Sequence, residues 1–239
     1  RRFGLLRFDA EGGAPLARVA NYAIHGTVLG GAHLQISGDV QGVVSEYVES
    51  VIGAPMLFVN GAAGNLAPIY SVYPDAKAGH LNQFKVLLGE KIVDGYRAIK
   101  NTRKSPKLQS GAIIVHTPMK AGLQWPAELA DYAQTAPDSE PVVKLPVRFL
   151  RIDHDLAIWA APLELFCEIS NEIRDRSPFA HTFFFGYTNG WLGYLLTDVE
   201  LGYGGYEATV SPFTASAAKD LTNAVLGHLQ GPLRSQTGP

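Results

Sequence analysis

Blocks of hydrophobic residues alternate along the first quarter of the chain in a way that predicts strands and helices. Residues 16–24 are densely apolar and predict a buried strand that ends at His25. Apolar side chains then recur at helical spacing until Gly53, which predicts a helix with one buried face. Residues 55–60 predict a second short strand. The order strand, helix, strand is typical of a βαβ unit with parallel strands.

The same kind of pattern continues through the rest of the sequence. Residues 80–99 carry an apolar stripe at helical spacing and predict a long amphipathic helix. Pro162 is expected to open a helix that runs to about Arg176, with Glu164 in its first turn and Cys167 in its interior. The remaining expectations are strands at 3–8, 112–115 and 182–187, a hairpin from 147–152 and 156–160, a proline-rich surface excursion at 126–146, a long Gly/Tyr loop after Tyr187, and a closing helix at 212–229.

The predicted fold class is α/β, with a mixed, largely buried sheet, βαβ units and flanking helices. Hydrophobic residues make up 46% of the 239 positions and charged residues 18%, which excludes a disordered chain. Lys and Arg number 20 against 22 Asp and Glu, so a nucleic-acid partner is not expected. No stretch approaches the ~18 consecutive apolar residues of a membrane span. Cys167 is the single cysteine, so any metal must bind through other side chains, chiefly His and carboxylates.

Polar groups follow several predicted strands directly, at the end of a sheet where open α/β proteins bind ligands. They are His25, the loop 61–65 and the run after Tyr187, and Glu164 is a further candidate. Each has an ordinary structural explanation when taken alone. The loop 61–65 lacks the Gly-Lys-Ser/Thr ending of a phosphate-binding loop, and the sequence contains no Gly-x-Ser-x-Gly elbow of a serine hydrolase.

Four segments taken together resemble the neutral (alkaline, non-lysosomal) ceramidases. Residues 21–27 with 36–42 are similar to the family's segment with a zinc-binding histidine, and residues 58–68 to its Gly-Asp/Asn-x-Ser-Pro loop. Residues 161–166 resemble the Pro-Gly-Glu-Phe segment, and residues 193–197 with 206–208 the Tyr-x-x-Thr…Tyr-Glu-Gly/Ala pattern. The order and spacing of all four agree, so the resemblance extends over residues 5–229.

The resemblance implies a zinc-dependent amide hydrolase in which metal-bound water attacks an N-acyl, ceramide-type amide carbonyl. His25, Glu164 and Tyr194 would be the zinc ligands, and Tyr206 would hydrogen-bond the developing oxyanion. Imidazole and carboxylate are ordinary zinc ligands, whereas a phenol is unusual. The substrate-binding loop would comprise Gly64, Asn65 and Ala67. A second, structural divalent cation is also permitted, although the sequence nominates no ligands for it.

The resemblance further implies that residues 1–239 are the C-terminal portion of one catalytic domain. The upstream portion, which would supply a further histidine ligand, and the family's immunoglobulin-like domain would then lie outside this chain. The substrate would be an amphiphilic amide, and the location extracytoplasmic, either secreted or periplasmic. Trp125, Tyr187, Trp191 and Tyr203 could line an apolar groove for such a substrate, although core packing is the more common role of aromatic residues.

Ala67 stands where the family has a serine beside the metal, which opens alternatives to ceramide hydrolysis. One alternative is a metal hydrolase of a different amide or of a smaller acyl substrate. Another is a non-catalytic, lipid-binding relative that keeps the fold without the chemistry.

Overall fold

A computed structural model describes residues 3–69, 80–122, 125–134 and 140–231. The chain divides into two compact units. The first comprises Arg1–Gly61 and Leu66–Ser105, and the second comprises Ala62–Asn65 and Pro106–Pro239. Both units combine a β-sheet with flanking helices, so the predicted mixed α/β class is confirmed. Within the described residues, no helix is long and apolar enough to span a membrane.

The sheet of the first unit contains the predicted βαβ unit. Its strands β1 (Gly4–Asp9), β2 (Pro15–Tyr22) and β3 (Met56–Asn60) lie in that order, with β1 antiparallel and β3 parallel to β2. Helix α1 (Asp39–Ile52) makes the crossover and ends at Gly53, whose φ of 75° is the left-handed conformation that glycine adopts without strain. The buried valines of α1 fit the predicted apolar face: Val40, Val44 and Val48.

The predicted helix at 80–99 is confirmed, with one local change of helical type. It begins as α2 (His80–Phe84), passes through a π-helical turn (Lys85–Gly89) and continues as α3 (Glu90–Ala98). A Cβ atom on Gly89 would lie 2.5 Å from the Tyr47 ring, so the absence of a side chain lets the π-helical turn approach α1. The apolar face of this helical run enters the core of the first unit through Phe84, Leu88, Ile92 and Val93.

The second unit is built on a five-stranded sheet. The strands are β4 (Leu108–Pro118), β5 (Ala133–Gln134), β6 (Val142–Ile152), β7 (Leu156–Ala160) and β9 (His181–Phe185). The order is β4-β6-β7-β9, with β5 paired to β6. The hairpin β6–β7 is confirmed, and β7 pairs parallel to β9. The core of the second unit includes Trp159 and Leu145 together with the inner faces of α4 (Cys167–Arg176) and α7 (Ala217–Gln230).

The helix expected from Pro162 is the main error of the sequence-based prediction. Glu164–Leu165 form a short strand, β8, that pairs parallel with β10 (Tyr194–Leu195), and α4 begins only at Cys167. The amide of Glu164 donates to Gly193 O (3.0 Å), and that of Phe166 donates to Leu195 O (3.1 Å). These long-range hydrogen bonds hold the segment extended despite the helix-start signal of Pro162. Cys167 is therefore the first residue of the helix and not part of its interior.

Other boundaries differ more modestly from the sequence-based prediction. The excursion at 126–146 contains a 3₁₀-helix (Ala127–Tyr132), strand β5 and the first residues of β6, while residues 135–139 lie outside the described part. The expected long Gly/Tyr loop holds two short helices, α5 (Asp198–Tyr203) and α6 (Tyr206–Val210). The closing helix α7 begins at Ala217 instead of Pro212.

Candidate active site

The pairing of β8 with β10 creates the candidate active site of the second unit. In this parallel pair, Glu164 lies opposite Tyr194, so their side chains extend from adjacent strands at the same register position. Gly64 completes the frame by donating its amide to Leu165 O at 2.9 Å. A Cβ atom on Gly64 would lie 2.7 Å from Glu164 O and 2.8 Å from the Phe166 ring, so only glycine allows this close approach.

The carboxylate of Glu164 is buried and surrounded by hydrogen-bond donors. The residue is 7% exposed. Tyr187 donates its hydroxyl to Oε2 at 2.9 Å, and Trp191 donates its indole N–H to Oε1 at 2.7 Å. Tyr194 lies opposite Glu164 on the paired strand. Because a buried carboxylate is costly without donors, the two hydrogen bonds explain how Glu164 is tolerated there.

The two tyrosines on Glu164 remain protonated at neutral pH. Burial raises the pKa of the Tyr187 phenol, and the neighbouring Glu164 carboxylate raises it further through its charge and hydrogen bond. Burial also raises the pKa of Tyr194, again with Glu164 as the second influence. Tyr187 therefore acts as a hydrogen-bond donor to the carboxylate, and Tyr194 keeps its proton beside it.

Tyr206 lies beside this cluster and is open to solvent. It is the first residue of α6 and is 67% exposed, and its ring contacts Tyr194 edge-on with 6.1 Å between ring centroids. The backbone of Tyr194 is held by Ser211, whose hydroxyl donates to Tyr194 O at 2.7 Å. An exposed phenol that contacts the buried Tyr194 is placed to meet a molecule that approaches from solvent.

Asn65 has a structural role at the start of α4. Its side-chain oxygen accepts from Cys167 N at 3.0 Å, and its side-chain nitrogen donates to Glu168 Oε2 at 2.8 Å. The hydrogen bond to Cys167 satisfies a backbone amide in the first turn of α4 that has no acceptor within the helix. Burial, followed by the charge of Glu168, raises the pKa of the Cys167 thiol, so it is a poor nucleophile.

His25 and Ala67 belong to the first unit. His25 follows the end of β2 and is half-buried, and its amide donates to Leu66 O at 3.1 Å. The preceding residue, Ile24, donates to Asn60 Oδ1 (3.1 Å) and accepts from Gln41 Nε2 (2.9 Å). The motif residues Asn60 and Gln41 therefore fix the backbone that carries His25. Ala67 is exposed.

Asp39, in the same ceramidase-like segment as Gln41, shapes the loop after His25. Its carboxylate accepts the amides of Val28, Leu29 and Val40 at 3.2, 3.0 and 2.7 Å. The backbone of Asp39 adopts a φ of 45°, which is uncommon for residues other than glycine. These contacts account for an aspartate at this position in structural terms.

The donor chemistry of Glu164 and Tyr194 fits part of a zinc site. A catalytic zinc takes about three protein ligands, and this pair supplies two oxygen donors from adjacent strands. A metal on Tyr194 would have to replace the phenolic proton, because the pKa of this group is raised. Over the described ranges, no three His, Cys, Asp or Glu side chains cluster as a metal site. The complete ligand set with His25 stays a prediction.

The roles of Tyr187 and Trp191 as donors to Glu164 did not emerge from the sequence. Both follow a strand in the Tyr-Thr-Asn-Gly-Trp run, and the sequence suggested only that they could line a groove. Their function as donors depends on Glu164 lying in a strand, and the sequence placed that residue in a helix. The glycine and asparagine of the run, which favour a tight turn, were the available signal.

Comparison with known proteins gives matches among solved structures. No protein-family model and no curated protein sequence matches the chain. A ceramidase complexed with C2 superposes with a TM-score of 0.74 at 16% identity, covering 95% of this chain and 47% of that one. The crystal structure of neutral ceramidase from Pseudomonas aeruginosa gives 0.72 at 18% identity, covering 99% of this chain and 48% of that one. The chain thus spans about half the length of these ceramidases, and it has their fold over nearly all of its own length, as the four sequence segments predict.

Proposed function

We propose that this protein is an amide hydrolase of the ceramidase type, which cleaves the N-acyl bond of a ceramide-like substrate. The observation that carries the proposal is the buried Glu164 carboxylate beside Tyr194 and the exposed Tyr206, within a ceramidase fold. A buried carboxylate held by two aromatic donors, with a neighbouring tyrosine that contacts an exposed phenol, is an arrangement suited to acyl-transfer chemistry. The substrate class comes from the relatives with this fold.

We propose further that His25, Glu164 and Tyr194 hold a zinc ion. Bound zinc supplies Lewis acidity, which polarises a carbonyl group and makes water a stronger nucleophile near neutral pH. Glu164 contributes a carboxylate whose orientation is fixed by hydrogen bonds at both oxygens. Tyr194 contributes the neighbouring phenol from the paired strand.

In the proposed mechanism, Tyr206 stabilises the transition state. Its exposed phenol would donate a hydrogen bond to the oxygen that becomes negative as the amide carbonyl turns tetrahedral. The loss of one such donor typically lowers kcat by roughly 10²–10³. Gly64, Asn65 and Ala67 are proposed to flank the substrate from the loop that reaches β8, although Asn65 also holds α4.

The remaining partners follow from the same proposal. The substrate is an amphiphilic amide, and an upstream portion of the polypeptide supplies a further histidine to the metal. A second, structural divalent cation and an extracytoplasmic location, secreted or periplasmic, complete the proposal by analogy with the relatives. Ala67 in place of the family's serine favours a second candidate, a metal hydrolase of a different amide or a smaller acyl group.

The experiment compares the complete protein with its His25→Ala and Glu164→Ala variants. Zinc content is measured by elemental analysis, and hydrolysis is measured on ceramide, N-acyl amino acids and peptide-like amides. We expect both substitutions to reduce zinc content and to abolish hydrolysis. Turnover of only the smaller amides would select the second candidate. A folded protein that binds lipid but neither holds zinc nor cleaves any of these amides would instead be a non-catalytic relative.

A further inference from the structure

We propose that Tyr187 and Trp191 are positioning residues that fix the orientation of the Glu164 carboxylate. The inference rests on the proposed function, in which Glu164 acts in the site. The two aromatic residues thereby determine which side of the carboxylate is available to a further partner.

The contacts of the two side chains are directional and divided between the carboxylate oxygens. Tyr187 donates to Oε2 at 2.9 Å, and Trp191 donates to Oε1 at 2.7 Å. Each carboxylate oxygen thus accepts one aromatic donor and keeps a further lone pair. The carboxylate cannot rotate without breaking at least one of these bonds, so the two donors determine which lone pairs remain available.

Packing alone does not account for the placement of these rings. Tyr187 is 37% exposed and Trp191 is 53% exposed, while Glu164, which they contact, is 7% exposed. An aromatic residue that serves the core buries its ring, yet here the polar ends of two partly exposed rings meet a buried carboxylate. The hydrogen bonds are therefore the feature that distinguishes their positions.

The backbone of this segment adopts an unfavourable conformation at Tyr187 itself. Its φ of 55° lies in the left-handed region that L residues other than glycine, asparagine and aspartate rarely enter. Strain of this kind persists only where the surrounding structure enforces it, and it concentrates at functional sites.

The surrounding structure that enforces this strain is the segment that carries Glu164. Tyr187 N donates to Leu163 O at 3.3 Å, Thr188 N to Ala161 O at 3.2 Å and Leu192 N to Pro162 O at 2.7 Å. The donors and the carboxylate are therefore mounted on one hydrogen-bonded frame, which keeps their relative positions fixed.

The test uses Tyr187→Phe and Trp191→Phe, which remove the donors and keep an aromatic ring at each position. Tyr47→Phe is the matched control, because Tyr47 is a half-buried tyrosine of α1 that packs against the core of the first unit. Three quantities are measured on the complete protein: kcat and KM for ceramide, zinc affinity by competition with a chelator, and thermal unfolding. We expect each donor variant to lose ~10–100-fold in kcat and in zinc affinity with KM little changed, and the control to behave as the wild type.

A partial rescue separates positioning from packing. Trp191→His retains a ring N–H donor and is expected to recover part of the kcat lost in Trp191→Phe. Folded donor variants whose kcat and zinc affinity stay within about twofold of the Tyr47→Phe control would overturn the inference. Glu164→Ala distinguishes the two levels of the proposal: if it keeps full activity, the proposed function fails, and if it alone is inactive, only the positioning role fails.

Discussion

At the residue scale, two buried charged side chains in the described part of the chain, Arg18 and Glu164, are held by several partners. Arg18 is fully buried in the first unit, where it donates to Phe8 O and Ala17 O, pairs with Asp9 and lies over the Tyr96 ring. Glu164 is held in a similar way in the second unit, where Tyr187 and Trp191 donate hydrogen bonds to its carboxylate. Removing the charge or its partners is therefore expected to have large effects at both places.

Replacing the Glu164 carboxylate by an amide tests the donor set directly. In Glu164→Gln, the amide oxygen can still accept from Trp191, but the new NH₂ group then faces the Tyr187 hydroxyl, which has to turn and accept, and the charge that strengthens both bonds is lost. We expect a loss of ~1–3 kcal/mol in the free energy of unfolding, measured in urea, together with loss of amide hydrolysis. A variant as stable as the wild type would mean that these hydrogen bonds do not hold the carboxylate.

His228 predicts a pH dependence of stability. Burial lowers the pKa of its imidazole and the charge of Arg151 lowers it further, while its ring stacks on Phe149 at 3.9 Å between centroids and its Nε2 is buried without a hydrogen-bond partner. A lowered pKa in the folded state means that the unfolded state binds the proton more readily. The contribution of this group is therefore complete above its ordinary pKa of about 6.5 and is lost as the pH falls through the lowered value.

The measurement is the urea midpoint of the wild type and of His228→Phe between pH 7.5 and pH 5. We expect the wild type to lose more stability than the variant over this interval, since phenylalanine keeps the stacking on Phe149 and cannot bind the proton. Parallel declines in the two proteins would show that another group causes the pH dependence.

At the element scale, local signals explain where the prediction succeeded and where it failed. Helix α1 could be predicted because its periodic valines and Gly53 act within one stretch of chain. Strand β8 could not, because its extended form depends on hydrogen bonds to Gly193 and Leu195, about thirty residues away. Pro162 supplies a genuine helix-start signal that this long-range pairing overrides. The pairing of β8 with β10 places Glu164 opposite Tyr194, and the assignment of the two residues as metal ligands stays a prediction.

Gly64 provides a test of the frame that carries Glu164. In Gly64→Ala, the new methyl group would lie under 3 Å from the backbone of β8, which cannot move without disturbing its pairing with β10. We expect a loss of ~1–3 kcal/mol in stability by chemical denaturation. The matched control is Gly42→Ala in α1, where a Cβ atom meets nothing within 4 Å and alanine favours the helix, so stability should be kept or increased. Equal effects of the two substitutions would contradict the described contact.

Arg151 tests how the end of α7 is fixed to the sheet. The guanidinium extends from β6 and donates to the carbonyl oxygens of His228, Leu229 and Gly231, the last two at 3.3 and 3.2 Å. It thereby satisfies acceptors that a helix leaves open at its C-terminal end. We expect Arg151→Met, which keeps much of the apolar stem, to reduce the free energy of unfolding by ~1–3 kcal/mol. An unchanged urea midpoint would show that water serves these carbonyls equally well.

At the scale of the whole molecule, the fold could be predicted because four short motifs occur in a characteristic order along the chain. Four segments in the ceramidase order pointed to the fold, and the solved ceramidase structures bear this out at TM-scores of 0.74 and 0.72. At 16% and 18% identity, similarity over the whole sequence is weak, whereas the four short segments are still recognisable. The arrangement of donors around Glu164 depends on packing, which no segment encodes by itself.

We propose that Glu164 belongs to the active site of a ceramidase-type amide hydrolase. This is measured as the release of the free amine from a ceramide by the zinc-supplemented complete protein, with Glu164→Ala and the Tyr47→Phe control assayed in parallel. We expect amide cleavage by the wild type and the control, and none by Glu164→Ala. Equal cleavage by Glu164→Ala, or a folded wild-type protein that cleaves no N-acyl amide, would contradict it.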